Sequence, residues 1–115
     1  MPESYEYSVY LIELDKAVLD IPKFIRKNSD HNRRKACFYV GSTYLTPEER
    51  FKQHIEGYRS GGRRVFNRYV HDHGLRLKPK LYREYNPMAT RKEAETIERE
   101  RAEYLRAIGH AVWQA

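Results

Sequence analysis

Two positions in the middle of the chain carry side chains suited to phosphate chemistry. Arg50 and His54 are four residues apart, so a helix would place them on one face. An arginine guanidinium meets phosphate oxygens with paired donors and stays charged at any working pH. An imidazole titrates near neutrality and can accept a proton. The pair predicts a phosphate-facing surface, with an ordinary solvated helix face as the alternative.

A carboxylate late in the chain is the second candidate. The predicted helix there has an apolar stripe that consists of Ala94, Ile97, Tyr104, Leu105 and Ile108. Glu98 falls at the border of this stripe. A glutamate in that place is either a surface residue with a buried stem or a metal ligand held near other elements. The run Glu98-Arg99-Glu100 leaves Glu100 as the competing carboxylate.

Alternating apolar and aromatic runs predict the strands that would position these groups. Residues 5–14 (YEYSVYLIEL) and 36–42 (ACFYVGS) predict two strands, and the second stops at a glycine. Residues 80–85 (KLYREY) predict a third. Residues 15–35 form an insertion between the first two strands, with a short helix interrupted at Pro22 and a basic polar loop.

Two T-x-x-E capping boxes mark helix starts. Thr46 and Glu49 begin one helix, and Thr90 and Glu93 begin another. The predicted helices run from Pro47 to near Gly57, over about 63–73, and over about 91–108 before Gly109. In the second of these, the arginines are expected to point away from the apolar stripe, toward solvent or a ligand.

The order strand, insertion, strand, helix, helix, strand, long helix predicts a small α+β domain. At 115 residues and 40% hydrophobic content, the chain can bury one modest core, so we expect a single domain over residues 1–115. The long connection between the first two strands is compatible with antiparallel pairing. The apolar tail HAVWQA is expected to pack against the body.

The net charge of +6 is concentrated in two stretches. Residues 23–35 hold six Lys or Arg against Asp30, and residues 59–83 hold eight against Asp72. Such stretches suit a polyanion, because cations that neutralise phosphates release condensed counterions. A solvated basic surface is the common alternative. The candidate nucleic-acid contacts are Arg33, Arg34, Lys35, Arg63, Arg64 and Arg68.

Several classes of protein do not fit this sequence. The single Cys37 has no disulfide partner, which favours a reducing compartment, and it is most simply a small buried hydrophobe. No signal-peptide pattern opens the chain, and no apolar run approaches the roughly 20 residues of a membrane span. With one cysteine, a structural zinc site lacks its usual ligand spacing. We expect a cytoplasmic protein without membrane contact or small-molecule cofactor.

Four motifs occur in a characteristic order. They are S-V-Y at 8–10, Y-V-G at 39–41, R-x-x-x-H at 50–54 and E-A-x-x-x-E at 93–98. Over about residues 5–108 this series resembles the GIY-YIG nuclease family. The resemblance implies a three-stranded antiparallel sheet flanked by helices and a metal-dependent phosphodiester hydrolase.

The resemblance also implies roles for individual residues. The two site tyrosines would be Tyr10 and Tyr39, and Gly41 would let backbone approach the site. Arg50 would contact the scissile phosphate, and Glu98 would hold Mg²⁺ or Mn²⁺. His54 matches a position that is often histidine. The general base stays open among the tyrosines and the histidine, since a tyrosine, with a reference pKa near 10, would need nearby positive charge.

The leading hypothesis is an endonuclease that hydrolyses phosphodiester bonds in DNA, with branched or damaged DNA among the candidate substrates. The alternative is a catalytically inactive nucleic-acid-binding module of the same fold, which would have no need of Glu98. A third hypothesis is a scaffold whose basic patches meet an acidic protein. A steep salt-dependent affinity for DNA would count against that third hypothesis.

Overall fold

The computed structural model of the chain describes residues 5–115, which form a sheet covered by helices. The strands are β1 (Ser8–Leu14), β2 (Cys37–Thr43), β3 (Arg59–Ser60), β4 (Arg63–Arg64), β5 (Gly74–Leu77) and β6 (Ala111–Gln114). The helices are α1 (Pro22–Arg26), α2 (Pro47–Glu56), α3 (Arg68–His73) and α4 (Arg91–Ala107). The main sheet has the order β5-β1-β2-β6, and β3 pairs with β4 alone.

The central strands β1 and β2 are antiparallel, as expected, and their register places the S-V-Y motif opposite the end of the Y-V-G motif. Tyr10 lies opposite Gly41, and Ile12 lies opposite Tyr39. Directly paired residues share a face of a sheet, and successive residues along a strand alternate between the two faces. Tyr10, Tyr39 and Gly41 therefore lie on one face. Both strands are buried on both faces. That burial agrees with their nearly continuous apolar sequences.

The sheet is four-stranded and mixed, so the expectation of three antiparallel strands is wrong. The apolar tail forms β6, which pairs parallel to β2 with Tyr39 opposite Trp113. A four-residue strand has little pattern of its own. It forms here because α4 returns the chain to the open edge of β2, whose backbone groups need partners.

The predicted third strand at residues 80–85 is also wrong. This segment forms two turns of 3-10 helix, Pro79–Leu81 and Arg83–Tyr85, while the strand beside β1 is the earlier Gly74–Leu77. Pro79 has no N–H to give to a ladder. The side chain of Asn86 takes the place of a strand here, because its amide pairs with both the N–H and the C=O of Val9 at 2.9 and 2.8 Å.

The two capping boxes are confirmed. Thr46 and Glu49 satisfy each other's backbone N–H groups at the start of α2, and Thr90 and Glu93 do the same for α4. The helix α2 ends at Gly57, whose φ of 71° is the left-handed conformation that glycine adopts most easily.

The predicted helix over 63–73 is shorter than expected. Arg63 and Arg64 belong to the β3–β4 hairpin, and α3 begins at Arg68. Gly61 and Gly62 both have positive φ, which is the requirement of a two-residue hairpin turn. Asn67 then caps α3 by accepting from two backbone N–H groups. This local chemistry outweighs the helical periodicity of the arginine-rich segment.

The insertion at 15–35 packs into the body. The expected interruption at Pro22 is confirmed: a 3-10 helix, Lys16–Asp20, ends before it, and Pro22 is the first residue of α1. Phe24 from α1 is fully buried. The buried Asn28 side chain bonds the C=O of Phe24 and both the N–H and C=O of Val112, which ties the insertion to β6. Cys37 is buried in the core, as expected. Among the described residues, no helix combines the length and the apolar character that crossing a membrane requires.

Candidate active site

Three neutral side chains form the centre of the candidate site. The ring centroids of Tyr10 and Tyr39 are 6.1 Å apart, and that of His54 lies 6.1 Å from the first and 5.4 Å from the second. All three are buried. We call them the tyrosine–histidine cluster. The strands β1 and β2 contribute the tyrosines, and α2 contributes the histidine across the sheet face.

Gly41 is required by space rather than by backbone conformation. A Cβ at this position would lie 2.6 Å from Tyr10 Oη and 2.8 Å from its Cζ. A side chain at this position would clash with Tyr10, so the glycine lets the Tyr10 ring lie directly against the backbone of β2. The expected close approach at Gly41 is therefore made by a tyrosine of the chain itself.

The hydrogen bonds of His54 define its tautomer. The backbone N–H of Asn67 donates to His54 Nδ1 at 2.9 Å, so that nitrogen must be unprotonated. In the neutral ring the proton then lies on Nε2, which donates to Tyr10 Oη at 2.9 Å. Burial, reinforced by the charge of Arg50, lowers the pKa of His54 to about 3. His54 therefore stays neutral at physiological pH.

The docking face of α2 differs from the one that its apolar residues predict. The apolar pair Phe51 and Ile55 predicts which face of the helix docks. Phe51 does pack against the core, but Ile55 is 39% exposed and His54 is fully buried. A hydrogen-bonded imidazole can occupy the core because both of its nitrogens have partners. Sequence periodicity treats histidine as polar and so could not indicate this.

Arg50 lies at the rim of the cluster, one turn before His54. Its Nη1 donates to Gln53 Oε1 at 2.8 Å and to the C=O of Val65 at 2.9 Å. These bonds orient the guanidinium, whose charge also acts on the hydroxyl of Tyr10. Arg50 also lines a groove of about 490 Å³, which we call the Arg50 groove; other lining residues are Ser42, Tyr44, Gln53, Tyr58 and Arg91.

Glu98 approaches from the opposite face of the sheet. Glu98 as a whole residue is 5% exposed, and its two carboxylate oxygens accept from Ser42 Oγ at 2.9 Å and from Gln114 Nε2 at 3.1 Å. Ser42 is adjacent to Gly41 on β2, so the carboxylate reaches the end of the strand that carries the cluster. Glu100 is exposed on another side of α4.

The buried stripe of α4 agrees with the predicted one only in part: Ala94 and Leu105 are buried as expected, and Ile97 packs against the core. Its buried residues are Ala94, Glu98, Ala102 and Leu105. Tyr104 and Ile108, both expected in the stripe, are 53% and 39% exposed. Glu98 therefore lies within the stripe rather than at its border. Two small alanines one turn to either side let the helix approach the sheet closely, which brings the short carboxylate to Ser42.

Electrostatic coupling links the two faces. Burial raises the pKa of Tyr10 well above its ordinary value, and Tyr39 adds to this rise while Arg50 opposes it. Burial raises the pKa of Tyr39 to about 12; the hydroxyl of Tyr10 and the charge of Arg50 oppose the rise, and Glu98 adds to it. The nearby positive charge therefore does not lower the pKa of either tyrosine toward pH 7, because the effect of desolvation is larger.

Glu98 is the group that could hold a cation. Burial raises the pKa of its carboxyl, although the bonds from Ser42 and Gln114 oppose the rise. No Lys, Arg or His forms a salt bridge with it within residues 5–115. No group of three or more His, Cys, Asp or Glu in the same part of the chain forms a metal-ligand cluster. A single buried carboxylate without a countercharge fits Mg²⁺, which keeps most of its waters.

The predicted basic contacts lie in two places. Arg33, Arg34 and Lys35 precede β2, near the opposite end of that strand from Gly41, and Lys35 Nζ bonds the C=O of Ile108 at the end of α4. Arg63, Arg64 and Arg68 lie in and just after the β3–β4 hairpin. This hairpin follows α2, and Val65 beside it bonds Arg50. Only the second group lies near the candidate site.

Sequence reasoning missed two polar partners. The sequence indicates Ser42 only as the end of a strand, one residue after Gly41. Gln114 lies in the tail, and nothing in the sequence relates it to Glu98. Asn67 was also missed, because its contribution to His54 is made by its backbone.

The fold and the site together define a small α+β domain with tyrosines, an arginine and a glutamate around one end of its central strands. The family model of the GIY-YIG catalytic domain matches residues 7–105. The chain belongs to the GIY-YIG family, a family of nucleases that act on nucleic acid. Neither curated proteins nor solved structures yielded a match.

Proposed function

We propose that this protein is a metal-dependent endonuclease that hydrolyses phosphodiester bonds in DNA. The observation that carries the proposal is the convergence of Arg50, Glu98 and the tyrosine–histidine cluster at one end of β1 and β2. These residues are spread over nearly ninety positions of the chain, and a protein that only bound nucleic acid would gain nothing from burying a glutamate there.

Arg50 is proposed to bind the scissile phosphate. Its Nη1 is held by Gln53 and Val65, which orients the remaining donors before a substrate arrives. A planar guanidinium can then meet two phosphate oxygens and stabilise charge that builds on them. The Arg50 groove, at about 490 Å³, falls within the range of volumes that ligand sites have, which supports a sugar-phosphate segment as its occupant.

Glu98 is proposed to hold the metal, with Ser42 and Gln114 orienting its two oxygens. A Mg²⁺ or Mn²⁺ ion bound there would stabilise the phosphate's negative charge and lower the pKa of a nearby water. The partners in the second shell of a metal site usually affect its affinity strongly. Glu98 and Ser42 thus connect the metal position to the strand that bears Tyr39 and Gly41.

The roles of the three candidate bases differ. His54 is poorly suited to accept a proton, because its Nδ1 already accepts from Asn67 and its pKa is lowered to about 3. Its Nε2 proton instead fixes Tyr10. The Tyr10 hydroxyl is already bonded to His54, whereas Tyr39 lies close enough to both Arg50 and Glu98 for their charges to act on it, which favours Tyr39 as the tyrosine that faces the attacking water. We propose that Tyr39 aligns this water.

A cleavage assay tests the proposed function. Supercoiled plasmid and branched DNA are incubated with the protein in Mg²⁺, in Mn²⁺ and in EDTA. Wild type is compared with Glu98→Gln and with Glu100→Gln, a matched control that makes the same change two residues away on an exposed side of α4. We expect metal-dependent cleavage by wild type and Glu100→Gln and none by Glu98→Gln.

Three results would contradict the proposal or part of it. If DNA is bound in a salt-dependent way but never cut with either metal, the catalytically inactive binding module is the better description. Full cleavage by Glu98→Gln with loss in Glu100→Gln would move the metal ligand to Glu100. An absence of any DNA binding would favour the scaffold hypothesis.

A further inference from the structure

A second cavity, of about 500 Å³, lies beside the candidate site and combines aromatic with basic side chains. Its walls include Lys23, Arg64, Phe66, Arg68, Tyr69 and Trp113. We call it the aromatic cavity. It joins residues from the insertion, the hairpin, α3 and β6, four segments that are distant in sequence. Of its basic residues, only Arg64 and Arg68 were expected to meet nucleic acid.

The aromatic walls form one connected group. The ring of Trp113 lies 4.7 Å from that of Tyr69 and is stacked on Phe24 with centroids 6.0 Å apart. Phe24 is buried beneath, whereas Tyr69 and Trp113 are half-buried and line the opening. Aromatic rings held rigidly in this way bind flat π systems at little conformational cost.

The charges of the cavity favour an anion. Three cations and one acid, Asp72, line it, which leaves a net charge of +2. Asp72 approaches Arg68 at 3.9 Å across an exposed helix turn, so it neutralises that arginine only in part. Lys23 and Lys27 place their ammonium groups 5.8 and 5.3 Å from the Trp113 ring centroid. The Trp113 ring therefore has two positively charged groups near it.

The aromatic cavity is structurally continuous with the candidate site. Trp113 is the strand partner of Tyr39 and shares its face of the sheet. The neighbouring Gln114 bonds Glu98. Asn67, another lining residue, donates its backbone N–H to His54. A strand bound at the candidate site would therefore pass close to the cavity.

We propose that the aromatic cavity binds one unpaired nucleotide of the substrate strand, with the base against the half-buried rings of Tyr69 and Trp113 and its phosphate on Arg64, Arg68 and Lys23. This proposal rests on the proposed function, since it names the class of substrate. Bases inside a duplex do not present their faces, whereas an unpaired base can stack on a protein ring. The cavity thus selects DNA with a single-stranded segment next to the cleavage position.

Trp113 provides the test, because it is the single tryptophan of the chain. Its fluorescence is excited at the red edge of the absorption band, where the tyrosines do not contribute. Glu98→Gln protein is titrated, without added metal, with single-stranded oligonucleotide, blunt duplex, and duplex carrying a single-stranded tail. We expect strong quenching and about tenfold tighter binding for the two DNAs with unpaired bases.

A pair of double variants separates the cavity from general basic charge. Arg64→Gln/Arg68→Gln removes two cations at the cavity, and Arg33→Gln/Arg34→Gln removes two near the opposite end of β2. All four side chains are exposed, so folding should be preserved. We expect the first double variant to lose about tenfold or more of its affinity for tailed duplex and the second to lose less than threefold.

Three results would overturn the proposal. They are unchanged Trp113 fluorescence on binding, equal affinity for blunt and tailed duplex, and equal losses in the two double variants. Each of these can occur while blunt duplex is still cut by wild type, in which case the proposed function stands and only the unpaired-nucleotide site fails. A protein that binds none of the three DNAs would fail both.

Discussion

The two faces of the sheet contribute different kinds of buried side chain to the candidate site. On the face packed by α2, Tyr10 and His54 are neutral, fully buried and bonded to each other. On the face packed by α4, Glu98 is equally hidden but carries an acidic group whose partners, Ser42 and Gln114, are both neutral. The first arrangement resembles an ordinary satisfied core, and the second does not.

This contrast distinguishes side chains that are buried at little energetic cost, such as His54, from one whose burial is costly, Glu98. A neutral ring with both nitrogens paired costs little to bury, whereas a carboxylate in the interior is expensive without a countercharge. The raised pKa of Glu98 reflects this cost. The folded protein binds the proton more tightly than the unfolded chain, so stability decreases as pH rises through the folded pKa. Proteins tolerate such a cost mainly at functional sites.

Replacing Glu98 should have the largest effect, and it should act oppositely on activity and stability. Glu98→Gln is expected to lower cleavage by about 10³-fold or more, because the proposed metal contributes several kcal/mol to the transition state. It should raise the free energy of unfolding at pH 7 by about 0.5–2 kcal/mol, since a neutral amide can bond both Ser42 and Gln114. Cleavage rates and urea denaturation measure the two effects.

The matched control for this substitution is Glu100→Gln, which makes the same change two residues later on an exposed side of α4. It should change neither quantity appreciably. A Glu98→Gln protein that is less stable than wild type at pH 7 would show that the carboxylate is a structural partner, and the contrast between the two faces would then be wrong.

Removing the bond from Gln114 should have the next largest effect. Gln114→Ala frees one oxygen of Glu98, so we expect the Mg²⁺ concentration for half-maximal cleavage to rise by about 10–100-fold. The rate at saturating Mg²⁺ should change less, because the carboxylate itself remains. An unchanged half-maximal concentration would mean that Gln114 does not orient a metal ligand.

An added methyl group at Gly41 probes the neutral face. In Gly41→Ala the new Cβ would meet Tyr10 Oη, so the ring must shift and disturb its bond to His54. We expect a loss of about 1–3 kcal/mol in unfolding free energy, as overpacked cores show. A change within about 0.5 kcal/mol in denaturant unfolding would indicate that the Tyr10 ring has room to move.

The smallest effect concerns pH. His54 has its pKa lowered to about 3 in the folded protein, against about 6.5 in the unfolded chain, so the unfolded state gains a proton first on acidification. Its contribution is present above pH 6.5 and is lost as pH falls toward 3. Between pH 7 and 5.5 it should cost about 1 kcal/mol.

His54→Gln, which cannot titrate, isolates this contribution. The stability difference between wild type and the variant should shrink as pH falls over this range, when both are measured by urea denaturation. Parallel pH profiles for the two proteins would show that the imidazole is not held neutral by the fold.

Features with local causes were predictable from the sequence. The capping boxes at Thr46 and Thr90 and the helix end at Gly57 depend on neighbours within a few residues, and all three occur as predicted. The pairing of β1 with β2 followed from two strong apolar runs. Features that depend on distant partners failed, such as the strand expected at 80–85, where Asn86 pairs with Val9 instead.

The candidate site divides in the same way. The sequence by itself determined which residue types belong together, because the motifs around Tyr10, Tyr39, Arg50 and Glu98 occur in a recognisable order. It could not indicate that His54 would face inward or that Gln114 would reach Glu98.

Only the tertiary structure decided those arrangements, and β6 is the clearest case. A four-residue strand has almost no structural preference of its own and forms because the edge of β2 supplies hydrogen-bonding partners. That pairing sets Trp113 beside Tyr39 and Gln114 beside Glu98. The contacts join residues far apart in the chain, and their energy exists only once the whole sheet has assembled.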